Sequence, residues 1–189
     1  MDNIQLLKKM IKSNAIVEPT PYKEKWKLVL NEPNEKDSTV EISNIPKETI
    51  AVRTDLFPAP KDFFSGEIGE LKRADYVIIF NLNEKWYSVF VEMKRGKKDS
   101  SLLVKQLKGA LCVYRYIEEV GKSFQGEPDF LKGSKLRFLA FLNTGLNKKT
   151  TRPEKSSKGK GYPETPEKFL KVTGGKYHVL DRLIGKMIP

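Results

Sequence analysis

Residues 75–94 read DYVIIFNLNEKWYSVFVEMK, and this stretch decides the fold. Two apolar runs rich in β-branched and aromatic residues flank a polar turn at 81–85, the pattern of a β-hairpin. The first strand is expected over 75–80 and the second over 86–94. Successive side chains of a strand point to opposite faces. Glu92 and Lys94 therefore share a face with Ser88 and Phe90, while Val89, Val91 and Met93 face the other layer. If the loop is 82–85, Asn81 pairs with Trp86, and the same register sets Asp75 directly opposite Glu92. Directly paired residues have Cβ atoms about 5 Å apart. Two carboxylates that close repel each other. A divalent cation between them resolves the repulsion, and hard oxygen ligands suit magnesium or manganese.

Outward from the hairpin, 95–99 is a polar turn, and Ser100 or Ser101 is a suitable N-cap. Leu103, Leu107, Ala110, Leu111, Tyr114 and Ile117 recur at helical spacing. They predict an amphipathic helix to about Val120, ended by Gly121, with Cys112 as a small packing residue within it. Residues 136–142 form another apolar strand. The helix between is long enough for a crossover. The expected fold is therefore α/β, with a mixed central β-sheet flanked by helices. Upstream, Ile4, Leu7, Met10 and Ile11 predict a short helix over 3–13, and 26–30 and 39–42 predict short strands. Residues 50–57 are ambiguous, and 61–72, with Gly66 and Gly69, form a loop or a broken helix. Residues 145–166 are rich in Lys, Gly, Pro, Ser and Thr, the composition of a mobile basic loop. Residues 169–188 supply a final strand or helix–strand pair. One domain over 1–189 is expected, with its core over about 61–145.

Composition narrows the partners. The 189 residues carry 35 Lys and Arg against 24 Asp and Glu, a net charge of +11. That excess favours a polyanion, nucleic acid before an anionic membrane. The single cysteine, Cys112, excludes an internal disulfide and a cysteine-built zinc site, and the single histidine, His178, excludes a multi-histidine metal centre. The longest apolar runs, 76–80 and 138–142, are far short of the roughly 20 residues that span a membrane. The N-terminal stretch has lysines but no long apolar region, so a cytoplasmic location is expected.

The tripeptide Glu-x-Lys is not itself informative. With 16 Glu and 28 Lys, about two are expected from composition, and two occur, Glu70-Leu71-Lys72 and Glu92-Met93-Lys94. Only the second lies within a strand, after a strand headed by Asp75 and before a helix with Gln106 near its start. At these residues, over about 67–143, the chain resembles the PD-(D/E)XK nuclease superfamily, with Ala74 where the motif's name has proline. The resemblance implies a restriction-endonuclease-like core. It makes Asp75 and Glu92 ligands of a catalytic Mg2+ or Mn2+, assisted by the main-chain carbonyl of Met93. It gives Lys94 the attacking water to orient, makes Gln106 a further active-site residue, and allows Glu67 or Glu70 as an additional acid.

The resulting expectation is a metal-dependent nuclease acting on DNA, in a defence or restriction-type role by analogy. Arg95, Lys97, Lys98, Lys105 and Lys108 would flank the scissile phosphate, and Lys148, Lys149 and Arg152 would close over the backbone. A homodimer is expected, because concerted cutting of both strands needs two sites related by symmetry, with a single-strand or structure-selective nicking monomer as the alternative; Phe57, Phe63 and Phe64 suit either part of its interface or the core. The alternative is a nucleic-acid-binding module that keeps the fold and does not cut. The plain readings are a solvated strand face for Glu92 and Lys94, an edge ion pair for Asp75 and an exposed helix position for Gln106.

Overall fold

The computed structural model describes residues 2–32, 35, 38–96, 99–144, 162–173 and 175–185. In chain order the helices are α1 (Asn3–Met10), α2 (Ser100–Gln125) and α3 (Leu180–Leu183). The strands are β1 (Ile16–Val17), β2 (Thr20–Tyr22), β3 (Lys25–Asn31), β4 (Thr39–Ile45), β5 (Thr49–Arg53), β6 (Tyr76–Leu82), β7 (Lys85–Lys94), β8 (Lys135–Leu142), β9 (Leu170–Thr173) and β10 (Tyr177–Val179).

Two mixed sheets result. The larger has the order β1-β5-β6-β7-β8-β9, antiparallel from β1 to β7 and parallel from β7 to β9. The smaller has the order β10-β4-β3-β2. The expected α/β class and mixed sheet hold; α1 and α2 lie on one face of the larger sheet, and Leu180 and Leu183 of α3 join the cluster on its other face. That face packs on the smaller sheet, where Leu28, Leu30, Val40 and Ile42 meet Ile78, Phe80, Val89, Val91 and Phe141. The helical face buries Val77, Ile79, Phe90 and Phe138 under Leu107, Ala110 and Tyr114 of α2 and Ile4 and Leu7 of α1. The sheet also begins upstream of residue 61, since β5 pairs with β6 over its full length.

The hairpin turns on two residues, Asn83 and Glu84, both at positive φ, as a two-residue primed turn requires. Leu82 and Lys85 therefore pair instead of sitting in a four-residue loop, yet the register is the expected one, with Asn81 opposite Trp86. The cap of α2 is Asp99, whose side chain accepts the Ser101 N–H at 3.0 Å, in place of a serine. The helix continues through Gly121 and ends at Gly126, which has φ +70°. Gly121 is needed for packing: a Cβ there would lie 2.2 Å from the Phe130 ring. Cys112 is exposed on α2 and is not a packing residue. Residues 145–161 of the basic loop lie outside the described residues. Residues 162–166 lie against β8, where the Phe138 N–H donates to the Pro163 carbonyl at 2.9 Å. No helix among the described residues is long and apolar enough to cross a membrane.

Candidate active site

The site is at the end of the hairpin farthest from its turn. Tyr76 pairs with Val91, the last pair of the β6–β7 ladder; Asp75 is the residue before Tyr76 and Glu92 the residue after Val91. The Asp75 N–H donates at 3.1 Å to the carbonyl of Val91, the residue that also pairs with Tyr76. Asp75 and Glu92 are buried, at 6% and 0% exposure. The Met93 N–H donates to Asp75 Oδ2 at 2.7 Å, so the structure ties Met93 to the site through its amide. Lys94 Nζ stands 2.8 Å from Glu92 Oε1. The structure thus brings Asp75, Glu92 and Lys94 together as two buried carboxylates and an ammonium.

A residue that the sequence pattern did not mark joins them. Glu32, the first residue after β3, places Oε1 3.7 Å from Lys94 Nζ. Its Oε2 accepts from the Ser38 hydroxyl at 2.7 Å, and the Thr144 hydroxyl, 3.4 Å from the same oxygen, donates to Ser38 Oγ. The Thr144 N–H donates to the Lys94 carbonyl at 3.2 Å. The Tyr76 hydroxyl donates to the Asn31 carbonyl at 2.6 Å, pinning the end of β3 beside the start of β6. The smaller sheet therefore supplies a third acid to a site built on the larger one.

Burial pushes the Asp75 carboxyl up from 3.8 to about 6, with Asp55 and Glu32 adding to the rise. The Lys94 ammonium and the Met93 N–H oppose it. Burial acts to lower Lys94, but Glu92, Asp75 and Glu32 outweigh it and hold the amine above its ordinary value. The lysine is therefore charged at neutral pH, and the acids around it are what keep it so.

Helix α2 sets the position of Asp75 through its own backbone. The Ala74 N–H donates to the Gln106 carbonyl at 2.8 Å, and Lys72 lies so close to Gly109 that a Cβ there would be 1.6 Å from the Lys72 carbonyl oxygen. Gln106 itself is half-buried, and its side-chain Oε1 is buried with no hydrogen-bond donor among the described residues. From the other side, the Thr54 N–H and hydroxyl reach the carbonyls of Asp75 and Ala74 at 2.9 and 2.6 Å.

The other expected residues are placed as follows. Glu70 turns its carboxylate onto its own loop, accepting from the N–H groups of Gly66 and Ile68 at 2.8 and 3.1 Å. Glu67 is exposed. Neither is drawn into the Asp75–Glu92–Lys94 group by these contacts, and Glu32 is the acid that is. Arg95 pairs with Glu35 at 3.0 Å on the surface, Lys108 pairs with Glu167 at 2.8 Å, and Lys105 is exposed with its stem across Gly69. Lys97, Lys98, Lys148, Lys149 and Arg152 lie outside the described residues.

Asp75 and Glu92 are two carboxylates near one lysine and do not make a cage. Among the described residues no three His, Cys, Asp or Glu side chains close on a common point. Two carboxylates suit magnesium, which keeps several of its waters and shares substrate phosphates instead of taking a full set of protein ligands. The chain matches no protein-family model, no curated protein and no solved structure.

Proposed function

We propose that this chain is a metal-dependent nuclease that hydrolyses phosphodiester bonds, with DNA as the substrate. The observation that supports it is the gathering of buried Asp75 and Glu92 about Lys94 at the open end of one hairpin, with Lys94 2.8 Å from Glu92 and Asp75 held by the Met93 N–H. Ion pairs between strand residues are ordinary, but burying two carboxylates is costly unless a cation offsets their charge. Lys94 offsets one unit, and a divalent ion held by Asp75 and Glu92 would offset the rest.

Bound there, such an ion polarises the phosphate and acidifies water. The remaining work belongs to the chain. Met93 fixes the orientation of Asp75 through its N–H. Lys94 presents an ammonium, held by Glu92 and Glu32, to the charge that develops on the transferring phosphoryl group. Gln106 offers a buried acceptor that a water hydrogen can satisfy. The net charge of +11 draws the polyanion to the protein without selecting a sequence.

The test is supercoiled plasmid incubated with the protein and Mg2+, with EDTA as control, and with Glu92→Gln, which preserves shape and removes a charge. Nicking or linearisation with Mg2+ alone, lost in Glu92→Gln, is the expected result. A gel shift without cutting under all conditions would overturn the nuclease reading and leave a binding module.

A further inference from the structure

The segment 57–74 leaves the site and returns to it. Its start is fixed where the N–H groups of Thr54 and Asp55 donate to the Asp75 carbonyl, and its end where Ala74 bonds to Gln106. Between these points it lies along the first turns of α2, with Gly69 packed under the stem of Lys105 and Lys72 against Gly109. The loop is built rather than slack. The N–H groups of Phe63 and Phe64 donate to the Pro60 carbonyl at 3.1 and 3.0 Å, and Glu70 closes the turn 66–70.

This ordered rim shows apolar surface to solvent. Phe63 is 85% exposed, Ile68 78% and Phe64 48%, and the two phenyl rings meet edge to face at 5.0 Å. Leu56, at the root of the loop, is also exposed. Phe57 differs: it is half-buried against Tyr116 and belongs to the packing. Exposed Lys61, Lys72 and Lys105 flank the apolar groups. Aromatic rings among lysines, joined at both ends to a phosphate-cleaving centre, suit a polyanion that also carries flat apolar faces.

We infer that Phe63, Phe64 and Ile68 form a stacking platform for unpaired nucleobases, so that the substrate is single-stranded or locally unpaired nucleic acid lying across the Asp75–Glu92–Lys94 site. The inference rests on the nuclease reading for the position of the phosphate. A base in a duplex is already stacked on its neighbours and offers these rings only its edge, whereas an unpaired base offers a face. Phosphate contacts then supply affinity for any nucleic acid, and the rings supply the preference for unpaired strands.

The test uses the full chain in EDTA, a fluorescent 15-nucleotide oligo-dT and a 15-base-pair duplex, read by anisotropy. Each exposed ring that stacks is worth about 5- to 150-fold in affinity. Phe63→Ala with Ile68→Ala should therefore weaken oligo-dT binding at least about 5-fold and duplex binding less than 2-fold, with an unchanged salt slope. Both side chains are exposed, so an unchanged unfolding midpoint is expected to show that the fold is intact. Equal affinities of wild type and variant for oligo-dT, or equal losses on both probes, would overturn the inference. Sedimentation of both proteins adds a further check: a wild-type dimer that the substitutions convert to a monomer would assign the patch to contact between two copies and overturn it as well. If wild type cuts plasmid with Mg2+ but the variant binds oligo-dT normally, the stacking platform fails and the nuclease stands. If the variant loses oligo-dT binding but wild type cuts nothing, the nuclease reading fails and the platform stands.

Discussion

Gly109→Ala should separate the position of Asp75 from the stability of the fold. The added Cβ would lie 1.6 Å from the Lys72 carbonyl oxygen, 2.8 Å from its carbon and 3.4 Å from Arg73 Cα. Ordinary contacts between heavy atoms lie near 3.5 Å, so segment 72–74 must retreat by about 1.5 to 2 Å. Both obstructing groups are backbone, and no rotamer change can relieve them. The retreat pulls on the Ala74–Gln106 bond and so on Asp75, the next residue. A misplacement of about 1 Å can cost about 100-fold in rate, and a loss of at least that size is expected in Mg2+-dependent plasmid nicking. The stability cost is smaller. Overpacking costs about 1–3 kcal/mol, and replacing a helical glycine by alanine returns about 1 kcal/mol, so the variant should remain folded in urea titration. Gly121→Ala is the control. It clashes with Phe130 about 18 Å further along the helix, and should lose stability while retaining its rate when folded. Wild-type nicking by Gly109→Ala, or rate losses that track stability in both variants, would refute the reasoning.

Two further outcomes follow from the charges. The unfolded chain releases the Asp75 proton near its ordinary value and the folded chain near 6, so ionising it costs stability as pH rises through that window. The shift corresponds to about 3 kcal/mol; in urea titrations Asp75→Asn should match wild type near pH 4 and exceed it at pH 8, while losing cleavage, and a variant weaker than wild type at pH 8 would contradict this. Glu32→Gln keeps acceptor geometry for Ser38 and Thr144 but removes a charge facing Lys94, and single-turnover cleavage should fall about 10-fold, against at least about 100-fold for Lys94→Ala, with DNA binding intact in both. Equal rates for Glu32→Gln and wild type would remove Glu32 from the site.

The hairpin was legible because its information is local. Alternation fixed the faces, and the register from Tyr76–Val91 to Asn81–Trp86 follows from which residues pair beside the turn, whether two or four residues form the loop. Glu32 was not legible: it sits in a polar stretch beside Pro33 and Glu35 and reads as one more turn residue. Only the docking of two sheets brings it to Lys94. The smaller sheet was hidden for a similar reason, since β10 comes from the far end of the chain to pair with β4. Gly121 reads as a stop until Phe130 is seen to occupy the space of its missing side chain. Cys112 lies between apolar neighbours in sequence but turns to the solvent side of α2. Glu70 carries the same tripeptide as Glu92, yet its loop supplies N–H donors that engage the carboxylate.

The clamp on Lys94 also bears on the order in which the molecule can become competent. The hairpin that carries Asp75, Glu92 and Lys94 is closed by a two-residue turn and needs no distant partner to set its register. Glu32 and Thr144, in contrast, meet across 112 positions of sequence, and Ser38 and Thr144 across 106. Closing loops of that length has an entropic cost that must be met before their contacts contribute. A chain still emerging from synthesis can hold Lys94 against Glu92 on one strand while Glu32 still lacks the Thr144 contact that closes its side of the clamp. Completion of the charge arrangement waits for β8 and Thr144, two residues beyond it, so the Glu32 side of the lysine's surroundings is fixed only once most of the larger sheet is in place.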